Sequence, residues 1–235
     1  MKRACKYIVL AILLTVNTFS ISAQRKISAD VEVKQAASGN VATITKRVHC
    51  SNDGRVIIHF LKPEEYYVLT NSKGEMKMYM PKSNQVLLEN SSDLSSQDEL
   101  ISIFMNGRVD DLGLAAFGYK LKETKREEGY IKKTFTAAGK GGYPTIEVVY
   151  ESFLPIYCGY LDNSGKTVRK TYFSKYAPVG RMMFPTRMTE ITYTSPKDST
   201  VARTVYSNFK VDQDDPMFSF EVPSDAKVVT LKQAK

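Results

Sequence analysis

The sequence predicts a mainly β fold, an antiparallel sheet that curls toward a barrel and carries a short helical insert. Three observations lead there. Apolar and polar residues alternate at period two over many short stretches. Clusters of Asn, Asp, Gly, Ser and Pro separate those stretches at short intervals. Only the region 96–118 changes to helical spacing.

The strands follow in order. Ile27, Ala29, Val31 and Val33 alternate with polar neighbours, the period of a half-buried strand. Ser38-Gly39-Asn40 breaks the run, and Val41 to Val48 resumes it. Asn52-Asp53-Gly54 is a turn before Arg55 to Leu61, a strand that Pro63 ends because proline cannot donate to a ladder. Tyr66–Leu69 and Met76–Met80 flank Asn71-Ser72-Lys73-Gly74 as a hairpin, and Gln85–Leu88 follows.

The period then lengthens. Ser96 and Glu99 have capping-box spacing, in which each side chain bonds the other's free backbone amide. Leu100, Ile101, Ile103, Phe104 and Met105 supply an apolar face, and Gly107 closes the helix in the left-handed conformation. A second short helix is expected from Asp110 or Asp111 to Phe117, with Gly118 as its stop.

Strands return at Tyr119–Thr124 and Tyr130–Ala137, around a charged turn at Lys125 to Gly129. Ile146–Tyr150, Ile156–Leu161, Val168–Phe173, Arg187–Tyr193 and Val201–Phe209 complete a meander. Asp162-Asn163-Ser164-Gly165 and Ser195-Pro196-Lys197-Asp198 are turns between neighbours. Roughly ten strands result, a number that suits a curling sheet. No internal repeat, low-complexity tract or linker interrupts them, so residues 24–235 read as a single domain.

Residues 1–23 read as a secretory signal. Lys2, Arg3 and Lys6 form a basic start, Tyr7 to Val16 is mostly apolar, and Ser20-Ile21-Ser22-Ala23 offers small residues before Gln24. The apolar run falls short of the about 20 residues of a membrane span. An uncleaved anchor is the alternative. Cys5 precedes the apolar run instead of following the cleavage point, so the exported chain is read as periplasmic and not lipid-anchored. Removing the segment leaves 212 of 235 residues and lowers the net charge from +8 to +5, because it holds three bases and no acids.

Composition narrows the function. Hydrophobic residues make 43% and charged residues 25%, which excludes a disordered chain or an integral membrane bundle. Two His and three Cys are too few for a zinc-rich framework. The bases are interleaved with acids and form no dense stripe, which argues against nucleic acid. Cys50 and Cys158 remain after export; their even count permits a disulfide, and two separate buried thiols are the alternative.

No catalytic constellation stands out. Gly139-Lys140-Gly141-Gly142 lacks phosphate-loop spacing and lies between strands, so it reads as a flexible loop. His49 and His59 sit in different strands and read as surface or hydrogen-bonded histidines. Asp110-Asp111 and Asp214-Asp215 fit cap and turn chemistry. No nucleophile elbow occurs. No catalytic residue, metal ligand or cofactor is therefore assigned.

The informative feature is apolar. Met76, Met78 and Met80 share one strand face, with Lys77 and Tyr79 on the other, and Met182 and Met183 add thioether surface later. Methionine suits surfaces that accept varied apolar partners, and it also fills core gaps. One reading is ordinary core filling. The other is a sheet face lining a cavity for an acyl chain, as a curled sheet with covering helices can enclose.

A family resemblance enters on particular residues. Leu61-Lys62-Pro63-Glu64-Glu65-Tyr66-Tyr67 places an aromatic soon after a basic-Pro pair. A Gly-containing turn and the strand end Tyr79-x-Pro81-x-x-x-Gln85 follow. Near the end, Phe218-Ser219-Phe220-Glu221-Val222-Pro223 precedes Val228-Val229. Over residues 41–230 this pattern resembles the periplasmic outer-membrane lipoprotein carrier family (LolA-like). The resemblance implies an open, incomplete β-barrel with helices covering a hydrophobic cavity. It further implies a carrier that shelters acyl chains of lipoproteins or lipids in transit toward the outer membrane. An inner-membrane donor and an outer-membrane acceptor would be its partners, and the chain would act as a monomer without catalysis. A lipid-sensing or adaptor protein of the same fold, acting through a membrane partner, is the alternative. Lys62, Tyr66, Met76, Met78, Met80, Ile101, Phe104, Met105 and Phe117 are the expected cavity residues.

Two departures stand out. The family carries Arg before the Pro, a residue associated with holding the lid helices closed. Here Lys62 offers a flexible point charge in place of a planar fork. The family also begins its mature chain with a helix, whereas Gln24 to Ala37 reads as strand, which predicts a cavity more open or differently covered.

Overall fold

β-Branched and aromatic residues at every second position commit most of this chain to extended backbone, because they pack well on a pleated surface. The computed structural model describes residues 25–90, 99–137, 142–195 and 198–229. The signal segment at 1–23, Ser96 of the expected capping box, Gly139 to Gly141 of the glycine-rich loop, and Pro196-Lys197 lie outside the described residues.

The first six strands are β1 (Lys26–Ala37), β2 (Asn40–Ser51), β3 (Val56–Lys62), β4 (Tyr66–Thr70), β5 (Glu75–Met80) and β6 (Gln85–Asn90). A helix α1 (Leu100–Met105) and a 3-10 turn at Leu114–Phe117 follow. The chain then runs through β7 (Tyr119–Glu127), β8 (Tyr130–Ala137), β9 (Thr145–Glu151), β10 (Leu154–Leu161), β11 (Thr167–Val179), β12 (Met182–Ser195) and β13 (Asp198–Val211). A 3-10 turn at Pro216–Ser219 and a short β14 (Lys227–Val229) end the described chain.

All fourteen strands form one sheet, ordered β14-β6-β5-β4-β3-β2-β1-β13-β12-β11-β10-β9-β8-β7. Two antiparallel meanders, β1–β6 and β7–β13, meet where β1 pairs β13. The sheet stays open, with β14 at one edge and β7 at the other. The fold class is therefore the expected one: mainly β, one short α-helix among the described residues, and an incomplete barrel.

Period two assigns the faces. Ile27, Ala29 and Val31 of β1 oppose Cys50, Val48 and Lys46 of β2, and this inner face continues through Val56, Ile146, Val148, Cys158, Phe173 and Tyr206. Those residues, except Lys46, join the lid helix in one buried core. On the outer face the alternate residues His49, Ile57 and Leu69 lie side by side on β2, β3 and β4. The chain after β13 crosses them as an arm. The Phe218 ring meets His49 edge-on at 5.1 Å, and Phe220 stacks on Tyr67 at 4.5 Å. Arg55 pairs with Glu221 at 2.8 Å, and Asn84 Nδ2 donates to Asp225 Oδ2 at 2.9 Å. The arm then delivers β14 to β6, the one parallel pairing among the described strands.

Several expectations need correction. The strand count of roughly ten is too low: each of the thirteen alternating stretches forms its own strand, and Lys227–Val229 adds β14. β11 and β12 run beyond the expected Val168–Phe173 and Arg187–Tyr193, through Pro178 and Pro185, to the hairpin at Gly180, whose φ of +59° makes the tight turn. The supposed charged turn is mostly strand: β7 runs to Glu127, and only Glu128 and Gly129 turn, with φ of +47° and +88°. Glu99 does not act at the third position of a capped helix. It is the N-cap residue itself and makes no side-chain cap bond. The second helix shrinks to the 3-10 turn Leu114–Phe117, because Asp111 holds the preceding turn by accepting from the amides of Gly113 and Ala115, each at 2.9 Å. Gly107 does close α1. Its φ is +68°, its amide donates to Phe104 O at 3.2 Å, and Arg108 N donates to Ile103 O at 3.0 Å, the paired bonds of a Schellman stop.

Candidate functional site

The helix α1 is six residues long, all of them buried. So short a helix is not stable alone; burial of its side chains holds it, each large apolar one worth about 1.5–3 kcal/mol. Phe104 carries much of this contact. Its ring meets Phe184 at 5.2 Å edge-on and lies 6.5 Å from Tyr176. Phe184, fully buried, meets Tyr206 and Phe209 in turn.

Between this lid and the inner face lies a cavity of about 1160 Å³. Glu99, Leu100 and Ile103 of the helix and Leu112, Leu114, Ala116 and Phe117 of the following turns cover one side. The sheet supplies Val33, Lys46, Thr204, Tyr206, Met188, Phe173, Thr171 and Ile146. Tyr119, Ala137 and Gly142 close the β7–β8 end. Tyr119 Oη donates to Tyr143 O at 2.9 Å, which ties that end together.

Charge in the cavity comes as two pairs. Lys46 Nζ lies 3.9 Å from Glu99 Oε2, joining β2 to the start of the lid. Arg169 Nη2 lies 2.5 Å from Glu190 Oε2, across β11 and β12. Arg169 also stands over the Tyr160 ring, 4.8 Å from its centroid, a cation–π contact. Glu99 Oε1 and Arg169 Nε are buried without a hydrogen-bond partner. Burial pushes the Cys158 thiol up to about 12 and raises the Tyr160 and Tyr206 phenols above their ordinary 10.0, so the two phenols are neutral donors in the wall.

The expected site residues divide into three groups. Phe117 lines the cavity and is exposed. Ile101, Phe104 and Met105 are buried in the lid, where they anchor it to the core and leave the cavity wall to Leu100 and Ile103. Met76, Met78 and Met80 are half-buried on β5, outside the residues that line this cavity. Register nonetheless puts them on its face of the sheet. Val48 opposes Ile58, Ile58 opposes Val68, and Val68 opposes Met78. Tyr66 lies on the same face, opposite Phe60, which opposes Lys46. Lys62 is exposed at the end of β3, before a cis peptide to Pro63. Among the described residues it forms no ion pair, and the ionic tie between lid and sheet is made by Lys46 and Glu99 instead.

Sequence reasoning missed Lys46, Glu99, Arg169 and Glu190 as wall residues. The alternation Arg169-x-Thr171-x-Phe173 was the available signal, since it puts a charge in phase with a buried aromatic. Cys50 and Cys158 are both free and buried, which resolves the two alternatives in favour of separate thiols. His49 and His59 each meet a carboxylate, Asp215 at 3.3 Å and Glu65 at 3.0 Å, on the outer face.

Comparison with solved structures places this architecture. A LolA superfamily protein from Nitrosomonas europaea is 16% identical, with 81% of this chain and 87% of that one covered at a TM-score of 0.57. A DUF1329 family protein from Desulfovibrio piger is 17% identical, over 92% and 96% of the two chains, at 0.59. A domain described as an outer membrane lipoprotein-sorting protein, from Vibrio parahaemolyticus, is 14% identical over 82% and 88%, at 0.58. No family model and no curated protein matches the sequence. At this identity the likeness is one of fold, and the fold is LolA-like.

Proposed function

We propose that this chain is a carrier that shelters the acyl chains of lipids or lipoproteins beneath α1 during transport toward the outer membrane. The observation that carries the reading is the cavity of about 1160 Å³ between the lid and the inner face. It exceeds the roughly 300–1,000 Å³ of ordinary small-molecule sites, a size suited to long chains. Each CH₂ taken from water there gains about 0.8 kcal/mol, so a carrier needs no covalent step to hold its cargo. The LolA-like fold supports the same reading, as does the similarity to a lipoprotein-sorting domain.

In this reading residues 1–23 direct export and are removed, and residues 24–235 act as one periplasmic domain. The protein works as a monomer and not as an enzyme, between a donor in the inner membrane and an acceptor in the outer membrane. Phe117 meets the chain at the cavity, and Ile101, Phe104 and Met105 hold the lid that covers it. Tyr66, Met76, Met78 and Met80 extend the apolar surface along the inner face, with Lys62 at its rim.

Native mass spectrometry of the gently extracted protein tests this. A co-purified acyl ligand is expected, lost on delipidation and replaced by an added acyl probe. A protein that arrives ligand-free and binds no acyl probe ends the carrier reading.

A further inference from the structure

The charges inside the cavity constrain what part of a cargo enters it. Lys46 and Arg169 are the cations among the described lining residues, and each is already matched by a carboxylate in the same wall. Lys46 faces Glu99, with side chains 17% and 13% exposed; Arg169 faces Glu190, at 35% and 26%. The wall is therefore electrically neutral, pair by pair. A charged head brought into it finds no unpaired counter-charge and stands beside a like charge. In a site removed from water that is costly, because a buried charge needs its own counter-charge.

Neutral polarity is received differently. A guanidinium has five donors, and Glu190 engages Arg169 through Nη2 alone. Arg169 lines the cavity, and about a third of its side chain is exposed. Thr171 and Thr204 stand in the same wall as hydroxyl donors and acceptors. An ester or amide carbonyl can accept from these groups without opposing Glu190.

Resting on the carrier reading, we infer that the cavity selects acyl chains joined to an uncharged ester or amide linkage, and discriminates against free fatty acids and long-chain amines. The Arg169–Glu190 pair enforces this. It presents hydrogen-bond donors while its carboxylate repels an anionic head.

Displacement of a neutral acyl fluorophore from the delipidated protein at about pH 8 tests the inference, with monopalmitoylglycerol, palmitate and hexadecylamine as competitors below their aggregation limits. Monopalmitoylglycerol should displace the probe at an about tenfold lower concentration than either charged amphiphile. Glu190→Gln, which keeps the shape and removes the repelling charge, should narrow or invert the gap to palmitate and leave hexadecylamine disfavoured. Palmitate or hexadecylamine binding wild type as well as the ester overturns the inference while leaving the carrier reading intact. An unchanged palmitate ratio in a folded Glu190→Gln protein likewise overturns the pair's role. If that variant does not fold, the three-ligand comparison on wild type alone decides. Failure of every acyl compound, fluorophore included, overturns both readings.

Discussion

Lys46 Nζ sits 3.9 Å from Glu99 Oε2 and 5.6 Å from the centre of the Phe60 ring, so one largely buried ammonium ties the lid's first residue to the sheet floor. The other Glu99 oxygen is buried without a partner. Removing Lys46 would leave that carboxylate wholly unpaired. We expect Lys46→Met to cost about 1–3 kcal/mol, the penalty for a stranded buried polar group. Lys46→Met combined with Glu99→Gln should recover part of it. Denaturant midpoints and hydrogen exchange of residues 100–105 measure this. An equal or larger loss in the double variant would refute the latch.

The Met face and the cavity make separable contributions under the carrier proposal. Phe117→Asp puts a charge at the cavity wall and should weaken every acyl probe by about tenfold or more. Met78→Asp lies farther along the inner face. It should weaken a sixteen-carbon probe while sparing an eight-carbon one, because only the longer chain reaches β5. Titrations of both probes against both folded variants give the answer. Equal loss for the two chain lengths in Met78→Asp would contradict the extension.

Stability should depend on pH through the outer face. Burial holds His49 below its ordinary 6.5, against the opposing pull of Asp215. The folded state thus keeps the ring neutral while the unfolded chain protonates it. The stabilisation is full above about pH 6.5 and is lost as pH falls from there toward the folded value, by at most about 1.4 kcal/mol per pH unit. Asp215 does not confuse the slope. The Met217 amide bonds it and holds its carboxyl below the ordinary 3.8, so its contribution persists until far more acidic conditions. Denaturant midpoints at about pH 7.5 and about pH 5.5 should differ in wild type and converge in His49→Gln.

The two buried thiols offer a chemical check on the core. Cys50 and Cys158 are free, and burial raises both above their ordinary value of 9.0. A thiol-specific reagent at neutral pH should modify neither in the folded protein and both after unfolding, since only the thiolate reacts. Fast labelling of Cys158 in the native state would mean that β10 is not covered as described.

Much of this architecture was legible because strands advertise themselves by period and turns by residue type. Asp162 is an example: its carboxylate accepts from the amides of Ser164 and Lys166 at 2.9 and 3.0 Å, the turn its sequence announces. The three methionines of β5 were likewise placed on one face correctly. What period two cannot reveal is which face is inner and which strands stand side by side. Arg169 and Glu190 are 21 positions apart, and only the β11–β12 register brings them together. Lys46 and Glu99 are joined by a lid contact that no local spacing encodes. Glu99 read as the third residue of a capping box because Ser96 has the right spacing; in the fold it starts the helix, and its carboxylate faces Lys46 instead of a backbone amide.

The seam between β1 and β13 has a consequence for the order of events in time. Val31 opposes Tyr206 and Val33 opposes Thr204 across it, and Val33, Thr204 and Tyr206 all line the cavity. Each meander can zip from its own hairpins, whereas the seam joins Ile27 to Val211, close to the two ends of the described chain. Such long-range closure is slow compared with hairpin formation. A nascent or refolding chain therefore acquires its sheets before its container. Pulse-labelled hydrogen exchange should protect β3–β5 and β8–β10 ahead of β1 and β13, with acyl-probe binding appearing only alongside the last pair.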